Sequence, residues 1–314
     1  MLESGYMEDP FTASPALPRS ALVNYVMWGA IAVLLTVLFG LYGNTEEVAA
    51  RGTSAILWMV SRWNMPEADL SHGWLIPFVS AYVIWRTCGD LRAAPKAGSR
   101  WGLAVVLGAL LLYLAGLRVQ QTRLVLVSLI GLLWGIPFFL YGRRVAGLLF
   151  FPCAYLVFCI PMTFLDSLTL PLRLISTWVS ATTLNGLGIP VTRIGTALHV
   201  NAGGGFALDV AHPCSGLRYL VAMVALTTAY AYFTQRTPGR RLSLFAASIP
   251  LAMAGNIVRI VLIALVGVWF GTDVAVGFYH DYSGYVVFAV AILLMIWVGS
   301  LLQRAWPGRK EPSP

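Results

Sequence analysis

Apolar residues along this chain come in long unbroken runs, with little period-two alternation. The runs fall at 21–42, 73–87, 101–117, 124–141, 145–163, 214–233, 242–268 and 283–302. A helix of about 20 apolar residues crosses the hydrocarbon core of a bilayer. The pattern therefore predicts an all-α polytopic membrane protein with about eight transmembrane helices. Outer-membrane barrels are excluded, because their strands alternate apolar and polar positions. The first run is too long for a signal-peptide core and no A-x-A site follows it, so it reads as a retained span. The reading gives one integral domain over 21–302, an N-terminal tail over 1–20 and a C-terminal tail over 303–314.

One long stretch, 163–213, interrupts the spans. In its first half Leu168, Leu172, Ile175 and Val179 recur at helical spacing with Arg173 between them. That pattern predicts a helix lying in the membrane interface, with a ninth span as the costlier option because of Asp166, Pro171 and Arg173. The second half alternates around Asn201 to Gly205, with Ile194, Leu198 and Val200 before and Phe206, Leu208 and Val210 after. This predicts a small β-hairpin.

Composition agrees with the pattern. The 314 residues are 58% hydrophobic and 11% charged, against about 45–50% and about 25% in soluble domains. A soluble enzyme, a disordered chain and a coiled coil are excluded. The net charge of +8 does not point to nucleic acid, because the basic residues cluster beside span ends. Arg86, Arg92, Lys96 and Arg100 form one cluster. Arg143 with Arg144, Arg236 with Arg240 and Arg241, and Arg304 with Arg309 and Lys310 form the others. Placing these inside gives an N-in, C-in topology. The 163–213 insertion is then on the outer side.

Two basic residues remain within spans, Arg218 and Arg259. An intramembrane charge is expensive and marks function. Asn256 lies one turn from Arg259 on the same helix face. Cys214 precedes Arg218 by one turn, at the expected start of the sixth span. A helix N-terminus and a nearby cation both favour a thiolate, so Cys214 is a candidate nucleophile. Cys88, Cys153 and Cys159 carry no second signal and read as small buried apolar residues. His280 opens the eighth span and is the natural titrating group. In the expected topology Cys214, Arg259 and His280 all meet on the outer side. No Cys/His spacing suggests a metal site, and no cofactor is implied.

The order of three motifs resembles the exosortase/archaeosortase family of membrane-embedded cysteine transpeptidases. They are Cys214-Ser-Gly-x-Arg218, Asn256-x-x-Arg259 and His280-Asp-x-x-Gly284. Ser71-His-Gly-Trp-Leu-Ile-Pro77 and Gly188-Ile-Pro-Val191 are further family-like segments. The resemblance implies Cys214 as nucleophile, Arg259 as essential arginine and His280 as third member. The histidine points to the bacterial exosortase branch. Arg218, Asn256, Ser215, His212 and His72 are supporting or substrate-binding candidates.

By resemblance, the substrates are exported proteins ending in a short motif such as Pro-Glu-Pro, a transmembrane helix and a basic tail. The acceptor is an amine on a lipid or envelope component. The location implied is a bacterial inner membrane, with the site facing the periplasm. Other classes remain open at this point: an anion or small-solute transporter using Arg259 and Arg218, a thiol oxidoreductase, or an assembly scaffold.

Overall fold

A computed structural model describes residues 19–45, 53–65, 71–161, 165–202, 205–209, 217–276 and 278–305. The helices are α1 (Arg19–Leu35), α2 (Ala55–Trp63), α3 (Leu75–Arg86), α4 (Cys88–Ala93), α5 (Arg100–Arg118), α6 (Thr122–Tyr141) and α7 (Arg143–Tyr155). They continue with α8 (Leu165–Gly186), α9 (Leu217–Thr234), α10 (Pro238–Phe270), α11 (Thr272–Val276) and α12 (Phe278–Ala305). A π-helical turn, Thr36–Leu41, extends α1. Between α8 and α9 lie three strands, β1 (Val191–Ile194), β2 (Ala197–Val200) and β3 (Phe206–Asp209).

Among the described residues, Val23–Leu41, Arg100–Arg118, Thr122–Tyr141 and Pro238–Phe270 are long and apolar enough to cross a membrane. Val221–Thr234 and Ala289–Ala305 are shorter apolar helices. The outward faces carry large apolar side chains: Val26, Val33, Leu111, Trp101, Trp178 and Leu293 are all more than half exposed. Lipid satisfies such a surface and water does not. The described residues fall into two compact units, those within 1–61 and 95–146, and those within 62–94 and 147–314.

The first unit is organised by the α5–α6 hairpin. Small residues let its two backbones approach closely, as in membrane helix pairs generally. On α5, Gly102, Ala109 and Gly116 share one buried stripe. On α6, Gly131 meets Ala109, and Gly135 meets Val105 and Val106. A Cβ on Gly102 would collide with the Phe139 backbone. The α6 start is tied to the chain after α1, where Thr122 Oγ1 accepts from the Thr45 amide at 3.1 Å and donates to Asn44 Oδ1 at 3.1 Å. Trp28 Nε1 donates to Tyr141 Oη at 2.9 Å at the other end.

The second unit is built on α10, a 33-residue helix. At 1.5 Å per residue it is about 50 Å long, well beyond the hydrocarbon thickness. Helices α9 and α12 pack on it. Met223, Leu244, Ala252, Ala291 and Met295 form their shared core.

The sheet has the order β1-β2-β3, antiparallel throughout. The expected hairpin around Asn201 to Gly205 is present as β2–β3, with Val200 opposite Phe206. The upstream run expected as a single strand is broken. Ile194 pairs with Ala197 across Gly195, whose φ is +62. A glycine able to adopt positive φ allows this two-residue turn and folds the run into two strands. Leu198 and Val200 point into a core with Ala181 and Leu184 of α8 and Ile260, Ile263 and Ala264 of α10.

The interfacial helix expected over the first half of 163–213 is α8, 22 residues long. Its apolar residues Leu170, Leu174, Ile175 and Trp178 are outward. Its polar stripe is inward: Ser176, Thr177 and Ser180 are at most 2% exposed. Here α8 packs it inside the protein.

Candidate active site

Helices α9 and α12 run parallel to each other. Thr227 Oγ1 lies 3.1 Å from Met295 Sδ, Gln235 Nε2 donates to the Gly299 carbonyl at 3.4 Å, and Gln303 Nε2 donates to the Thr234 carbonyl at 3.3 Å. Helix α10 is antiparallel to both, joined to α9 by the turn at Gln235 to Thr237. Arg241 holds that turn, with Nε to the Gln235 carbonyl at 2.9 Å and Nη2 to the Tyr232 carbonyl at 3.3 Å.

This arrangement fixes heights along the helices. At about 1.5 Å per residue, Arg259 lies roughly 32 Å from Pro238, and Leu217 roughly 26 Å from Thr234. Arg259 is therefore about 6 Å beyond the first residue of α9. The Thr227–Met295 pairing puts Leu217 level with residue 285 of α12. His280, in the first turn of α12, is then about 8 Å beyond that level by the same rise. The start of α9, Arg259 and the start of α12 converge at one end of the unit. Arg218 lies in the first turn of α9. Cys214, Ser215 and His212 fall outside the described residues.

At that end Arg259 is 3% exposed and Asn256 7%. The Asn256 Oδ1 atom is buried with no hydrogen-bond partner among the described residues. Both residues lie on the buried stripe of α10. Helix α8 runs alongside, since Ala181 and Leu184 share a core with Ile260, Ile263 and Ala264. One turn earlier on each helix, Thr177 is level with Asn256. The α8 stripe of Arg173, Ser176, Thr177 and Ser180 thus faces the level of Asn256 and Arg259. Ser180 Oγ and Arg173 Nε are buried without partners among the described residues. This polar seam was missed in the sequence reading, which followed the apolar positions of the same helix. Its i, i+3, i+4, i+7 spacing was nevertheless present as a signal.

The sheet roofs this end. Gly267 of α10, roughly 12 Å beyond Arg259 at 1.5 Å per residue, has the Phe206 ring directly over its Cα. Asn185 ties α8 to the sheet, with Nδ2 to the Val191 carbonyl at 3.0 Å and Oδ1 from the Val191 amide at 2.9 Å.

His72 sits in the 3-10 turn Ser71–Trp74 that enters α3. The far end of α3 carries Arg86, over the Phe233 ring at 5.9 Å. Phe233 ends α9, so His72 belongs to the same end as Arg259. Burial holds the His72 imidazole below its ordinary pKa, and its Nε2 has no partner among the described residues. The turn is clamped by Trp63, whose Nε1 donates to the Cys159 carbonyl at 2.8 Å and whose ring packs against Gly73. Cys153 and Cys159 are buried and Cys88 half-buried, each as a free thiol. Among the described residues no group of three His, Cys, Asp or Glu side chains converges as a metal site.

The basic residues Arg86 and Arg241 both stack on aromatic rings at the opposite end, beside Arg240 and Arg304. Within this unit, the described candidates Arg218, Asn256, Arg259, His280 and His72 lie at the opposite end of the helices from the basic cluster.

No curated protein and no solved structure matches the chain. A family model described as transmembrane exosortase matches residues 58–297, a span that includes the Cys214, Arg259 and His280 motifs and the His72 turn. With well over half of its length matched, the chain belongs to the transmembrane exosortase family.

Proposed function

We propose that the chain is a membrane-embedded cysteine transpeptidase. It cleaves the C-terminal sorting signal of exported proteins and joins their new carboxyl end to an envelope amine. The observation that carries this reading is the family match over residues 58–297, within which the three motifs lie. The convergence of the α9 start, Arg259 and the α12 start at one end of the unit supports it.

In this reading Cys214 loses its thiol proton to His280 and attacks the scissile carbonyl. Arg259 stabilises the oxyanion of the tetrahedral intermediate, where low dielectric makes a fixed charge effective. His280 returns the proton to the leaving amine, and a thioester remains on Cys214. The acceptor amine then displaces the thiol; with water as acceptor the enzyme is a protease. Asn256, one turn from Arg259, presents its Oδ1, unpartnered among the described residues, to the substrate. Arg218 shares the oxyanion or thiolate charge. His212, Ser215 and His72 line the approach. The substrate's transmembrane helix docks laterally, and its basic tail stays with the basic end of the protein. The membrane is the bacterial inner membrane, with N-in, C-in topology over about eight spans and the site at the periplasmic face.

The test is processing of a co-expressed protein carrying such a signal, followed by its size shift. Cys214→Ala abolishes processing if the reading holds. Normal processing by that variant overturns it, and a silent Cys214→Ser is what a transporter would give.

A further inference from the structure

The basic end of the second unit contains a group that the proposed chemistry does not use. Arg240 is the third residue of α10 and is 6% exposed. Its Nε and Nη2 atoms are buried without hydrogen-bond partners among the described residues. A buried guanidinium with unsatisfied donors is costly unless an anion pairs with it. Helical side chains lean toward their own N-terminus, so Arg240 points to the start of α10. That start is electropositive and binds anions readily. The N-cap residue, Thr237, makes no side-chain cap bond to the first-turn amides.

Across the turn, Gln235 is 1% exposed. Its Nε2 is engaged by the Gly299 carbonyl and Thr234 Oγ1, but its Oε1 is buried without a partner among the described residues. Arg241 is already committed to backbone carbonyls, so it is not free to serve a ligand. The unfilled set is therefore two donors from one arginine and one acceptor from a glutamine. A ligand that completes it has an anionic group beside a hydrogen-bond donor.

We infer that the α9–α10 turn is a phosphate site, occupied in the membrane by a glycerophospholipid headgroup that also carries a donor. Arg240 takes two phosphate oxygens, and Gln235 Oε1 accepts from a headgroup hydroxyl or ammonium. Phosphatidylglycerol and phosphatidylethanolamine have that donor. Phosphatidylcholine, trimethylated at nitrogen, lacks it.

The test uses the full chain purified in detergent. Retention of added lipid is read by native mass spectrometry and by the shift in melting temperature. Phosphatidylglycerol, phosphatidylethanolamine, phosphatidylcholine and inorganic phosphate are the probes. The expected result is a larger melting shift with the first two than with phosphatidylcholine. Arg240→Gln weakens retention about tenfold or more, the usual order for a lost charge-assisted pair. Arg304→Gln, an exposed cation at the same end, leaves retention unchanged. Arg240→Lys keeps the charge but not the two-pronged geometry; a partial loss there supports the site if Arg240→Gln does not fold. Equal response to phosphatidylcholine overturns the inference, as does equal loss in Arg304→Gln. A full effect from inorganic phosphate alone overturns the headgroup assignment. No effect of any lipid on retention or melting also overturns it.

Discussion

The α5–α6 seam offers a sharp test of packing, because α5 carries two glycines in opposite surroundings. A Cβ at Gly108 meets nothing within 4 Å, whereas one at Gly102 runs into the backbone nitrogen and Cα of Phe139. Gly108→Ala and Gly102→Ala make the same chemical change on the same helix. Each gains about 0.5–1 kcal/mol of helix propensity, so that effect cancels between them. What remains is the collision. Overpacking commonly costs about 1–3 kcal/mol. At Gly102 the obstacle is backbone, which cannot rotate away, so the upper end of that range is expected. Gly102→Ala should fall about 3 kcal/mol below Gly108→Ala. At about 2.1 cal/mol/K per residue, for a chain of this size that is roughly 4–5 °C in melting temperature. The assay is a thermal melt of both variants in one detergent, read by tryptophan fluorescence. If Gly102→Ala melts at or above Gly108→Ala, the close α5–α6 approach is wrong.

Two further outcomes follow from burial in the second unit. Leu198, fully buried between the sheet and α8 and α10, should cost about 2–5 kcal/mol when cut to alanine, while Leu198→Met stays close to the parent; equal melting of the two variants would contradict the sheet's core role. His72 has a folded pKa below its ordinary 6.5. The unfolded chain therefore binds the proton first, and stability is full above about pH 6.5 and declines as pH falls below it. His72→Gln should flatten the difference in melting temperature between pH 8 and pH 5.5; an unchanged difference assigns the slope to other groups.

The membrane class was legible because it depends on local composition: a run of apolar residues has one favourable environment whatever its neighbours do. The seven helices that overlap the later runs, and α1 with its π-helical extension, fall close to the expected segments. The motifs were equally legible, since Cys214 to Arg218 and Asn256 to Arg259 are fixed by covalent spacing. Less was legible in 43–72, where α2 is a nine-residue helix too short for a span to register. The turn at Gly195 also escaped, because alternation alone reads through a single glycine.

The sequence by itself determined that this protein lives in a membrane, which long apolar segments are helical and which family it belongs to. The tertiary structure decided which faces turn inward. Apolar residues on α8 satisfy lipid as well as core, so periodicity could not tell the two apart; only the folded chain buries Ser176, Thr177 and Ser180. Likewise Arg218, Arg259 and His280 are far apart in the chain. Their backbone positions fall at one end of the unit because α9, α10 and α12 pack in a fixed register, set by contacts such as Thr227 with Met295. Such contacts join residues distant in sequence, and no local pattern encodes them.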